Sequence, residues 1–254
     1  MLTVGLFIFL IIAGIVSGIV SAVASMASLV SYPALLIAGC NPIMANITST
    51  ATLISTGPGV LLASYKKMQG HWLEFGKYCL FLLSGVILGS ILLLSFPGKV
   101  FEKVVPFFIL ASAIALTASN KNSPGKIKKK RTKLGIIGSY IGLIIGGMYT
   151  GYFGAAAGVI HLIFINYLSD DEFFTINAMK DIVGALGNFV ALIIFIFGAS
   201  VDWMKAIPMA IGLFIGGYLG QYSIRFLSFK IVAWITMVFS VILAGWLFYA
   251  SWKV

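Results

Sequence analysis

Apolar residues run along this chain in long blocks joined by short polar connectors. Ten blocks can be marked: 4–24, 28–38, 46–65, 75–96 and 101–119, then 134–154, 156–168, 178–198, 203–225 and 229–251. A helix needs about 20 predominantly apolar residues to cross a bilayer, and blocks 28–38 and 156–168 fall short of that. Each short block follows a run of small residues, Ser21 to Ser28 in one case and Gly151 to Gly158 in the other. Such residues permit close backbone approach and a sharp reversal. Irregular backbone at membrane depth persists only where protein buries it or where it lines a cavity. The two short blocks therefore read as short tilted crossings or re-entrant helices.

The blocks fall into two sets of five, and the sets repeat. Asn46, Gly70, Trp72, Gly85, Gly89 and Lys99 recur 131 positions later as Asn177, Val201, Trp203, Gly216, Gly220 and Lys230, five of the six pairs being identical. Duplicated halves in a membrane chain are the mark of a secondary transporter, and the short segment in each half points to the substrate site. The expected fold is an all-α polytopic membrane protein of two inverted half-repeats, each of about five hydrophobic segments, with about eight to ten crossings in all. The expected organisation is one membrane domain, 1–254, made of a first half at 1–119, a basic cytoplasmic linker at 120–133 and a second half at 134–254.

Composition agrees: 60% of the residues are hydrophobic, 9% are charged, and mean hydropathy is +1.07, which no soluble core requires. The net charge of +10 is concentrated in Lys121, Lys126, Lys128, Lys129, Lys130, Arg131 and Lys133. In a polytopic protein such a loop marks the cytoplasmic face and touches anionic lipid, so no nucleic-acid partner is expected. With that loop inside and every block crossing, Lys66, Lys67, Arg225 and Lys230 also fall inside, and the loops around Lys99 and Ala199 to Asp202 fall outside. Five crossings per half is an odd number, so the halves are inverted. The acidic loop Asp170 to Glu172 also lands inside, which carboxylates tolerate. Four crossings plus a re-entrant segment would put Arg225 and Lys230 outside and fit less well. No basic residue precedes the first block, so it reads as a retained span in a multi-pass plasma-membrane protein. Cys40 and Cys79 support no disulfide framework.

Charged residues inside spans are costly and mark function by default. Lys180 and Asp181 stand near the start of block 178–198, just after Asn177; the matching places in the first half hold Ser49 and Thr50, after Asn46 and Thr48. A helix start offers free backbone donors and partial positive charge, which suits an anion. Lys180 adds a full charge, and Asp181 is the candidate for proton coupling. The plainer alternatives are a snorkelling lysine and an aspartate that complements the helix dipole. Asn188 and His161 are further candidate ligands, with bonding to a neighbouring helix as the alternative for each. Gly57-Pro58-Gly59 interrupts block 46–65, either as a packing kink or as a hinge. Gly85/Gly89 and Gly216/Gly220 read as helix-packing faces. Two histidines, His71 and His161, with so few carboxylates make no metal set, and no cofactor is expected. The lack of a nucleophile–base arrangement or a phosphate loop argues against an enzyme.

At these residues the chain resembles the sulfite exporter TauE/SafE family of membrane permeases, over nearly its whole length. The resemblance rests on Gly14 to Ser28 followed by Tyr32-Pro33-Ala34-Leu35-Leu36, on Ala45-Asn46-Ile47-Thr48-Ser49, on Gly147 to Gly158, and on Gly198 to Trp203 followed by Gly212 to Gly220. It departs at Ser25-Met26-Ala27-Ser28, at Ala155-Ala156-Ala157-Gly158, and at Lys180 and Asp181, where a second-half Thr-Lys pair of some members is shifted in this chain. The resemblance implies export or exchange of a small sulfur-containing anion, sulfite or an organosulfonate. Another small organic anion, such as a carboxylate, is the alternative. The expected site lies between the halves, with Asn46, Thr48, Ser49, Asn177 and Lys180 donating and with Ser25 and Ser28 lining the same cavity. Monomer and homodimer both remain open.

Overall fold

The structure, a computed structural model, describes residues 3–24, 26–96, 99–101, 103–107, 109, 131–155 and 157–223, with interspersed positions from 226 to 248. Ser25, Lys121 to Lys130, Arg225 and Lys230 lie outside the described residues.

The apolar blocks fold as helices. They are α1 (Val4–Ala24), α2 (Ser28–Ile37), α3 (Pro42–Leu53), α4 (Thr56–Met68), α5 (Trp72–Ser95), α6 (Lys133–Tyr152), α7 (Ala157–Leu168), α8 (Phe173–Ile196) and α9 (Trp203–Ser223). Described positions within 99–109 and 231–248 are helical too. Among the described residues, α1, α5, α6, α8 and α9 are long and apolar enough to cross a membrane. The chain is thus an all-α polytopic membrane protein. Its outer surface is apolar, with Ile12, Leu88, Ile141, Phe189 and Ile211 exposed, while Asn46, Thr48, His161, Asn177, Lys180 and Asp181 are buried. That distribution suits a solvent of lipid tails, in which polar groups must find their partners inside the protein.

Two helix pairs organise the bundle, and glycine sets their spacing. In α1 and α9, a Cβ added at Gly14 or Gly18 would collide with the backbone at Met209 to Gly217, and one at Gly212 or Gly216 with the backbone at Ile11 to Ile15. In α5 and α6, Gly85 and Gly89 abut Ile144 and Met148, while Gly147 and Gly151 abut Leu82 to Ser90. Both pairs run parallel, α1 locking onto α9 and α6 onto α5. The small side chains let the backbones touch, which is how helices associate where lipid supplies no hydrophobic drive.

The short helices double back. Ser17 Oγ donates to Ala27 O (2.6 Å), so the chain turns after α1 and α2 returns along it. In the second half Gly146 lies beside Ile160 and His161, Gly142 beside Phe164 and Gly135 beside Tyr167, so α7 returns along α6. At 10 and 12 residues, and about 1.5 Å per residue, neither covers the roughly 30 Å of a hydrocarbon core. The turn after α6 is closed by Gly154 at φ +75, whose N–H donates to Tyr149 O (2.8 Å). This is the left-handed cap that glycine serves.

Block 46–65 is divided, but not where its glycine-proline motif suggests. Helix α3 ends at Leu53 and α4 starts at Thr56, so Pro58 sits in the first turn of α4. A proline there gives up no intrahelical bond. The break falls instead among hydroxyl side chains: Thr50 donates to Asn46 O (3.0 Å), Thr52 to Ser49 O (2.7 Å) and Thr56 to Leu53 O (2.7 Å). Such local bonds compete with the helical ladder.

At one end of the bundle Arg131 pairs with Asp170 (2.6 Å), His71 with Asp171 (3.1 Å), and Lys67 lies over the Phe174 ring (4.4 Å). These contacts gather the α4–α5 connector, the start of α6 and the α7–α8 connector. Elsewhere Asp202 receives Lys205 (2.8 Å) and lies 4.0 Å from Cys40 Sγ, so the α2–α3 connector meets the start of α9.

Candidate functional site

Among the described residues, helix α8 carries the buried charged pair. The expectation that Lys180 and Asp181 stand at a helix start is corrected: α8 begins at Phe173, so both lie two turns inside it. The backbone N–H groups beside them are spent in the helix and are not free for an anion. Asn46 is likewise one turn into α3, which starts at Pro42 and is capped by Asn41 Oδ1 accepting from Met44 N (2.9 Å). Donors that these residues offer therefore come from their side chains.

Lys180 is 1% exposed and does not snorkel. Its Nζ pairs with Asp181 Oδ1 at 3.0 Å and donates to Ser21 O at 3.1 Å. Asp181 also accepts from Ser21 Oγ (3.3 Å), Gln221 Nε2 (3.1 Å) and Asn177 Nδ2 (3.4 Å). Helices α1, α8 and α9 thus converge on one carboxylate. A buried ion pair is stable only when its remaining hydrogen-bonding capacity is met, and here the neighbours meet it.

The pair forms part of the wall of a cavity of about 60 Å³. A water needs roughly 10–15 Å³ of such space, so the cavity has room for several waters or one small ion. Ser28, His161, Lys180, Asp181 and Asn188, all singled out from the sequence, line it. So do Ser21, Thr56, Thr150 and Gly184, which the sequence reading did not select. Lys180, Gly184 and Asn188 follow at four-residue spacing and share one stripe of α8. On the facing wall Ser28 Oγ donates to Gly154 O (3.2 Å), joining the two reversal turns.

Four other expected ligands stand apart from the cavity and tie helices together. Asn46 Nδ2 donates to Tyr152 O (3.3 Å), and Asn177 Nδ2 donates to Ala22 O (3.2 Å). Each copy of the repeated asparagine thus serves a carbonyl near the end of the other half's first helix, where the last carbonyls have no intrahelical partner. Ser49 Oγ bonds Ser31 Oγ at 2.6 Å, and Thr48 Oγ1 accepts from Asp202 N at 3.1 Å. Ser25 lies outside the described residues. Gln221, missed from the sequence, had a usable signal: it is an amide inside an apolar span. Ser21 and Thr150 had none beyond their place in small-residue runs.

His71 Nδ1, a Glu74 carboxylate oxygen and an Asp171 carboxylate oxygen lie within 4.8 Å of one another, a gathering the sequence did not suggest. Asp171 Oδ2 already holds Ser169 Oγ (2.7 Å) and His71 (3.1 Å), and the group is partly exposed. It acts as a tie between connectors.

The family described as sulfite exporter TauE/SafE matches residues 10–247. The chain is 25% identical to the probable membrane transporter protein ORF9 of a Sinorhizobium species over 93% of this chain and 90% of that one. It is 23% identical to the probable membrane transporter protein YfcA of Escherichia coli over 90% of this chain and 84% of that one. A probable membrane transporter protein of Haemophilus influenzae is 24% identical over 78% of this chain and 76% of that one. No solved structure matches.

Proposed function

The chain belongs to the sulfite exporter TauE/SafE family, and from that premise we propose that it is a secondary transporter that exports or exchanges a small sulfur-containing anion, sulfite or an organosulfonate. The observation that carries this reading is the Lys180–Asp181 pair, 3.0 Å apart and buried in the cavity wall. A lysine held at membrane depth is costly unless its charge is used. In the resting site Asp181 is the counter-ion. The transported anion takes the place of Asp181 beside Lys180 when Asp181 accepts a proton, and Asp181 pairs again when the anion leaves. Binding is thereby linked to one proton. Ser28, Asn188 and His161 complete the site from the cavity wall, while Asn46, Thr48, Ser49 and Asn177 support it from outside.

Alternating access follows in this reading from two inverted halves that rock about the cavity. The repeated interlock, α1 on α9 and α6 on α5, and the repeated doubling back of α2 and α7 support duplication, and the loop charges support inversion. The basic linker is assigned to the cytoplasm by its charge, and the plasma membrane is the proposed location. Family membership argues against an enzyme.

Proteoliposomes test the reading directly. Flux of sulfite or a small sulfonate above that of protein-free vesicles, with a parallel change in lumenal pH, is expected. Flux indistinguishable from empty vesicles across sulfite, thiosulfate, taurine and sulfoacetate, with acetate or lactate carried instead, would move the substrate to the carboxylates.

A further inference from the structure

The cavity holds a second polar group whose orientation can be worked out. His161 is 1% exposed, and its Nε2 lies 3.0 Å from Thr150 Oγ1. Thr150 Oγ1 also donates to the backbone carbonyl of Gly146 at 2.8 Å. A threonine hydroxyl has one proton and a carbonyl has none. The proton of Thr150 is therefore spent on Gly146, and Thr150 receives rather than gives at His161. Nε2 must carry the ring hydrogen, so in the neutral imidazole Nδ1 is a bare lone pair. Among the described residues that nitrogen has no hydrogen-bond partner, although it is buried.

Gly184 tells where the lone pair faces. A Cβ added at Gly184 would lie 4.0 Å from His161 Nδ1, closer than to any other atom outside its own helix surroundings. Gly184 lines the cavity one turn beyond Lys180 and one turn before Asn188. Because Gly184 has no side chain, the room in front of His161 Nδ1 stays unfilled, in a cavity that Lys180 also lines. The cavity wall thus carries both a cation and an acceptor that a plain oxyanion cannot satisfy.

From this juxtaposition we infer that His161 makes the site selective for anions that carry their own hydrogen-bond donor: a hydrogen oxyanion, or a small sulfonate or carboxylate bearing a hydroxyl or amino group beside its charge. Lys180 binds the charged oxygens and His161 Nδ1 accepts from the donor. Gly184 provides the room. The inference rests on the transport reading above and adds a rule for choosing among its substrates.

The experiment uses purified full-length chain in nanodiscs and two isosteric pairs in which a hydroxyl replaces a methyl. These are hydroxymethanesulfonate against ethanesulfonate, and glycolate against propionate, titrated by calorimetry or by thermal shift. The hydroxyl-bearing member of at least one pair is expected to bind about tenfold tighter, the worth of one good hydrogen bond. His161→Leu removes the acceptor at similar volume and is expected to bring the two members within about twofold of each other. Gly184→Ala places a methyl at ordinary contact distance from the ring, so it should fold normally yet weaken both members. Equal binding of both members of each pair by the wild type overturns the inference and leaves the transport reading standing. Failure of all four anions, and of sulfite titrated beside them, to bind overturns both. Should His161→Leu not fold, the wild-type preference and the weaker binding of both members by Gly184→Ala decide the matter.

Discussion

The stretch from Asn46 to Gly59 and its copy from Asn177 to Val190 hold equivalent places in the two halves, yet they fold differently. The first is broken at Ile54 and Ser55, between α3 and α4; the second is the uninterrupted middle of α8. Their side chains explain the difference. Thr50 and Thr52 bond backward to carbonyls of α3, and Thr56 bonds across the break to Leu53 O, and these bonds loosen the ladder. The copy has no serine or threonine between Asn177 and Val190, and the helix continues. The charges sit on the continuous side. A buried ion pair requires its two members and their donors to be held in one geometry, and an unbroken helix braced by α1 and α9 holds them so. The broken copy instead places Leu53 and Thr56 on the cavity wall, beside a joint in the backbone. One half is built to hold charge, and the other carries the discontinuity.

The largest test of this asymmetry is functional. Lys180→Met should abolish anion-dependent flux in proteoliposomes, whereas Ser49→Ala, its counterpart in the first half, should leave flux within about twofold of wild type because Ser49 bonds Ser31 away from the cavity. Comparable losses in both variants would erase the proposed division of labour. Stability comes next. Asp181→Ala leaves the Lys180 charge without its buried partner and should cost about 3–5 kcal/mol, read as a lower melting temperature in detergent. Combining it with Lys180→Met should recover much of that loss; a double variant as unstable as the single one counts against a paired charge.

Other substitutions should affect the halves equally. Gly85→Ala and Gly216→Ala each push a methyl into a neighbouring backbone, at Ile144 and at Ile15. Each should destabilise by about 1–3 kcal/mol, and a large difference between them would break the equivalence of the two helix pairs. Asn46→Ala and Asn177→Ala should each cost about 1 kcal/mol through the lost bond to the opposite half. Asn177→Ala alone should also alter proton-coupled flux, since Asn177 reaches Asp181 as well.

Much of the fold was legible because a membrane span must satisfy its backbone internally over a fixed thickness. Hydropathy therefore located α1, α2, α5, α6, α7 and α9 to within a few residues of their observed ends. The starts of α3 and α8 were read too late, since polar residues at Asn41 and at Asp170 to Glu172 precede them and the helices run through weakly apolar turns before the hydrophobic blocks. That misplacement turned two asparagines inside helices into supposed ligands at helix starts. The repeat of Asn46 at Asn177 was real, but its physical cause is the need to satisfy carbonyls at the end of the opposite half's first helix.

The sequence by itself determined that the chain is an all-helical membrane protein with short segments after runs of small residues. Each of these features depends on neighbours in the chain and on the thickness of the bilayer. The tertiary structure alone decided which polar groups share a cavity. Ser21 and Asp181 are 160 positions apart, and Gln221 reaches the same carboxylate from another helix. Charge is tolerable in a low-dielectric interior only where such distant donors converge, and convergence is a property of packing that no local pattern records.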